Sequence, residues 1–165
     1  MLWLALYLPQ LPIEVFTRAR QQAGALVVVE SLAGREQVSR CNAAAQAYGV
    51  RPGLSLPAAL ALCADLAVQR RDRERERRAL EELAAWLERF SSFVSIADRD
   101  VLLLEIAGSL RLFGGLRELR QKISAGLRQL GFNASLAIAP PPLAATWLAR
   151  LGRHTCIRDA ANLAP

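Results

Sequence analysis

Asp98, Asp100 and Glu105 stand close enough in sequence to be weighed together as ligands for a divalent cation. Phosphoryl transfer by the two-metal route needs anionic oxygens, because Mg²⁺ gives up water reluctantly, and it holds two ions about 3.5–4 Å apart between shared ligands. Asp98 and Asp100 are two apart and would share a strand face, but Ala97-Asp98-Arg99-Asp100 reads as a turn. Asp100 and Glu105 are five apart, hence on opposite faces of a regular strand and about 17 Å from each other. No acid occurs between Met1 and Glu14, so the first apolar segment offers no ligand in any register. A lone carboxylate does not hold a pair of ions, and on turn chemistry Asp100 reads as a turn former.

Other chemistry is thinly represented. His154 has no cysteine or acid at nucleophile spacing. The cysteines Cys41, Cys63 and Cys156 are odd in number and form no CxxC pair, which argues against structural zinc and against a disulfide framework. Cys41 and Cys63 are expected as small buried hydrophobes. No cofactor is expected. Twenty of the 21 basic residues are arginine, the better bidentate phosphate partner, and the net charge is +6. Much of that charge lies in residues 69–78, QRRDRERERR, where acids interleave with bases. Two readings stand: a solvated helix laced with ion pairs, or a basic ridge facing a DNA backbone.

The 165 residues, 53% hydrophobic and 22% charged, describe a globular chain of one ordinary domain or one domain with a small inserted lobe. No run of about 18 apolar residues exists, and the N-terminus lacks the basic leader of a signal peptide, so a cytoplasmic protein is expected.

Residues 2–8 form a nearly continuous apolar run that suits a buried central strand. Pro12 opens a helix over 12–21, and a hairpin follows over 25–31 and 36–41. Asn42 caps a helix over 43–48, Ser55 caps another over 57–63, and 65–69 is a short strand. A long helix over 74–90 carries Leu80, Leu83, Ala84, Leu87 and Phe90 as its apolar stripe. A second hairpin over 93–96 and 101–106, a helix over 110–130 interrupted at Gly114-Gly115, a strand over 133–138 and a helix over 140–151 complete the order. Trp86 and Trp147 are expected in the core, and Tyr7 as a core aromatic. The layout is α+β, with a mixed or antiparallel sheet covered by helices on one side.

Three stretches resemble the Y-family translesion DNA polymerases. Residues 35–54, from Arg35 through Cys41-Asn42 to Tyr48-Gly49-Val50-Arg51-Pro52-Gly53-Leu54, are similar to the family's fingers signature, the most specific of the three. Phe90-Ser91-Ser92-Phe93-Val94-Ser95-Ile96 resembles the run before the catalytic hairpin. Residues 102–109 with Leu112-Phe113-Gly114-Gly115 resemble the hairpin's second strand and the helix after it. The resemblance implies a polymerase palm, residues 1–23 with 70–165, interrupted by a fingers-like lobe over 24–69. It also implies that the thumb, the little finger and a clamp-binding tail lie outside this chain.

Carried across position by position, the resemblance produces losses. Tyr7 stands where the family places a metal-binding aspartate. Asp100 matches the first acid of the hairpin pair, and Val101 replaces the second. The steric-gate aromatic falls in Leu11-Pro12. Ala43 and Gln46 stand for the tyrosine and arginine that hold the incoming triphosphate, and Thr146 for the palm lysine. A stripped site of this kind is similar to the ImuB-type branch of the family. That resemblance implies a non-catalytic adaptor in the bacterial DNA-damage response, linking an error-prone replicative-type DNA polymerase, an ImuA-like RecA-related protein and the sliding clamp. Arg35, Arg40 and Arg51 are candidate weak DNA contacts, with lone surface arginines as the plain alternative. An active translesion polymerase core and a general basic nucleic-acid-binding module remain as the other readings.

Overall fold

The computed structural model describes residues 1–18 and 24–152, which divide into two compact units. Met1–Pro9 belongs with the chain from Glu76 onward, and Gln10–Arg75 forms the second unit. The predicted tail, with His154 and Cys156, and the end of the first predicted helix lie outside the described residues.

The first unit is built on a four-stranded sheet ordered β5-β6-β1-β7, antiparallel throughout. Its strands are β1 (Trp3–Tyr7), β5 (Val94–Asp98), β6 (Val101–Glu105) and β7 (Ser135–Ala139). The apolar run at the N-terminus becomes the central strand because both of its faces are covered. Ala5 packs with Leu103, Ala137 and Ala139 under helix α6 (Pro142–Arg150), with Trp3 and Tyr7 alongside. Small residues at these positions let the helix lie close to the sheet. Alternation sends Leu4, Leu6, Leu102, Leu104 and Ile138 to the other face, where all are fully buried. The apolar stripes of α4 (Arg73–Leu87) and α5 (Leu116–Gln129) bury Leu80, Leu83, Leu87, Leu119, Ile123 and Leu127.

The second unit has a three-stranded sheet, β3-β2-β4, from β2 (Leu26–Leu32), β3 (Arg35–Cys41) and β4 (Ala67–Arg70). The β2–β3 pair is antiparallel and the β2–β4 pair parallel. Helices α2 (Ala43–Ala47) and α3 (Leu56–Leu62) contribute Ala45 and Ala59 to a core with Val27, Val29, Val38, Cys41 and Cys63. On the other side of β2, Leu26 and Val28 pack with Ile13 and Phe16 of α1 (Leu11–Thr17). That contact places α1 in this unit, which runs from Gln10 to Arg75.

Three local readings are corrected. The helix expected over 110–130 begins only at Leu116, because Gly114 and Gly115 take φ of 79° and 104°, outside the helical region. Asp98 is the last residue of β5, and Arg99-Asp100 alone make the hairpin turn. Trp147 is 64% exposed on α6 and is not a core residue. The arginine run is the ion-paired helix start: Asp72 accepts from the Arg75 amide at 3.0 Å as the capping side chain, and Arg77 pairs with Glu81.

Candidate functional site

At one end of the antiparallel sheet, three strands bring together residues far apart in sequence. Tyr7 closes β1 and lies directly opposite Val101 of β6 and Ser135 of β7. Val101 is fully buried and on the same face as Tyr7. The hairpin turn is tied to the end of β1, since the Leu8 amide donates to the Asp100 carbonyl at 2.9 Å. A register shift between Ile96 and Asp98 pairs Asp98 with Val101 and turns its carboxylate toward the same end of the sheet.

The last residue of α6 decides the electrostatics here. Arg150 donates from Nη2 to Asp98 Oδ2 at 2.6 Å and to Asp100 Oδ1 at 2.7 Å. Its guanidinium carbon lies 5.3 Å from the centroid of the Tyr7 ring, in cation–π range. One fixed cation thus serves both carboxylates of the hairpin, over an aromatic ring. Sequence reasoning missed Arg150. Its signal was the basic residue closing an amphipathic helix, but nothing local ties it to acids 50 and 52 positions away.

Thr146 lies one turn before Arg150 and turns its hydroxyl back to the Pro142 carbonyl at 3.0 Å, inside its own helix. Glu105 sits at the far end of β6, opposite Trp3, where its Oε1 accepts from the Leu2 and Ala107 amides. Ala43 and Gln46 belong to α2 in the second unit, where Gln46 donates to the Cys41 carbonyl at 3.3 Å. The cap before them does more than the sequence suggested. Asn42 Oδ1 accepts from both the Ala45 and Leu26 amides, and its Nδ2 donates to Gly24, so one side chain ties α2 to β2. Arg35 is exposed at the start of β3, Arg40 donates to the Ser39 carbonyl, and Arg51 is exposed in the loop after α2. The register shift between Val28 and Val29 keeps Val38 and Cys41 on one face, which leaves Arg35 and Arg40 on the opposite one.

These residues do not fit a pair of divalent ions. Among the described residues no group of three or more His, Cys, Asp or Glu side chains could hold a metal, and the two acids at the hairpin already share a guanidinium. No step through a metal is derived for this chain.

Residues 12–150 match the model of the impB/mucB/samB family. The chain belongs to that family. Protein ImuB of Caulobacter vibrioides is 39% identical over 109 residues, which is 66% of this chain and 24% of that protein. DNA polymerase IV of Pseudomonas fluorescens is 29% identical over 120 residues, covering 70% of this chain and 33% of that one. The chain therefore spans about a quarter to a third of the curated relatives it matches. Among solved structures, the insertion ternary complex of Dbh DNA polymerase aligns with a TM-score of 0.77 at 17% identity, over 96% of this chain and 49% of that one. DinB from Sulfolobus solfataricus aligns with a TM-score of 0.72, also at 17% identity, over 96% and 48%. The architecture is the α+β fold of Y-family polymerases. No helix among the described residues is long and apolar enough to cross a membrane.

Proposed function

We propose that this chain is the palm and fingers of a non-catalytic Y-family polymerase-like adaptor in DNA damage tolerance and induced mutagenesis. The palm would be residues 1–23 with 70–165 and the fingers lobe 24–69. The supporting observation is the Arg150 guanidinium seated on Asp98 and Asp100 beside Tyr7 and Val101. Catalysis by the two-metal route needs net negative charge at that point, and a fixed cation there opposes it. Identity with ImuB over two thirds of the chain supports the adaptor reading.

The whole protein would bridge an error-prone replicative-type polymerase, an ImuA-like RecA-related protein and the sliding clamp in the cytoplasm, at the nucleoid during the damage response. Since the matched span is 24% of the ImuB relatives, those contacts are proposed for the longer protein. DNA binding by this segment would be weak and salt-sensitive, through Arg35, Arg40 and Arg51.

One observation favours a second reading, an active translesion polymerase: DNA polymerase IV relatives match 70% of the chain. Single-turnover nucleotide addition on a primer–template with Mg²⁺ or Mn²⁺ separates the two. The adaptor predicts no template-dependent extension above background. Extension that disappears with Asp100→Asn establishes the polymerase.

A further inference from the structure

The arginines that crowd residues 70–77 are not where positive charge is left over. Arg70 pairs with Glu36, Arg71 and Arg73 both reach Glu30, Arg75 pairs with Asp72, and Arg77 with Glu81. Helix α5 is different. It carries four bases and one acid, and Arg117 and Arg120 make no ion pair or hydrogen bond among the described residues. Arg128 only donates back to the Ser124 carbonyl of its own helix. At 100° per residue, Arg117, Arg120, Ser124 and Arg128 fall within about 80° of one another, along about 16 Å of axis. By the same count Glu118 lies about 80° from Arg128 and about 160° from Arg120.

These side chains, with Leu116, Gln121 and Ala125, line a shallow concavity of about 590 Å³. A smaller depression of about 250 Å³ continues past Ser124 and Arg128 to Asn133 and Ala134, at the start of edge strand β7. We propose that this flank of α5 is a docking site for an acidic peptide segment of a partner protein, one that also carries apolar side chains. Guanidinium groups bind carboxylates as forks, and two unpartnered arginines one turn apart offer two such forks. The apolar part of that lining decides between an acidic peptide and a nucleic-acid backbone. A phosphate backbone has nothing to place against Leu116 and Ala125, whereas a leucine between two glutamates does. The arginines also come from a single helix flank, with no aromatic platform among them for a base to stack on. The inference stands whether or not the hairpin cleft retains catalysis, because it uses none of the cleft residues.

Fluorescence anisotropy at physiological salt tests it with three labelled probes: a peptide of alternating glutamates and leucines, polyglutamate of the same length, and a short DNA duplex. The alternating peptide is expected to saturate and to bind best. Arg117→Glu with Arg120→Glu should weaken it at least about tenfold, with an unchanged melting curve, and Arg117→Gln with Arg120→Gln should weaken it less. Absence of saturable peptide binding, equal affinity for polyglutamate, or tighter duplex binding abolished by the same substitutions would overturn the proposal.

Discussion

Arg150 reaches both aspartates through a single nitrogen, Nη2, while its guanidinium lies over Tyr7. A lysine could supply the point charge but not the planar stacking surface. Arg150→Ala is therefore expected to destabilise the chain more than Arg150→Lys. The cost is about 1 kcal/mol or less, since the side chains of Arg150 and Asp98 are 36% and 55% exposed, and it should shrink as salt is raised. Urea denaturation at low and high ionic strength measures both effects. Equal, salt-independent losses for the two variants would show that the pair contributes nothing. That β1 carries no acid was legible in the sequence, because an absence across residues 2–13 does not depend on register. The cation that pairs with the hairpin acids was not, because it arrives from a helix closed 50 positions after Asp100.

At the level of elements, α4 and α5 meet at a close crossing. A Cβ built on Gly126 would lie 2.2 Å from Cζ2 of Trp86, so the glycine is required by packing and not by its backbone conformation. Gly126→Ala should destabilise the protein by about 1–3 kcal/mol through overpacking. Adding Trp86→Leu should return part of that loss, and a double-mutant cycle by chemical denaturation gives the coupling. Independent losses that simply add would refute the contact. Caps and periods carried most of the element reading: Asn42 and Ser55 accept from the amides three residues on, as their types and places suggested. Misreadings arose where tertiary context outweighed local pattern. Leu110–Phe113 looked helical until two left-handed glycines delayed the start of α5. Trp147 looked like core, but α6 turns Ala145 and Ala149 to the sheet and leaves Leu143, Trp147 and Leu151 outside.

At the scale of the molecule, two sheets with separate cores are threaded by one chain, and residues 12–150 carry the family match across both. Helix α1 follows β1 in sequence yet buries Ile13 and Phe16 on β2. The proposed function rests on electrostatics: a guanidinium seated on Asp98 and Asp100 opposes the collection of divalent ions there. Isothermal titration of Mn²⁺ into the protein with a deoxynucleoside triphosphate present tests this most directly, with the triphosphate alone as the blank. The account predicts heats indistinguishable from the blank. Saturable binding of two ions per chain, abolished by Asp100→Asn, would contradict it.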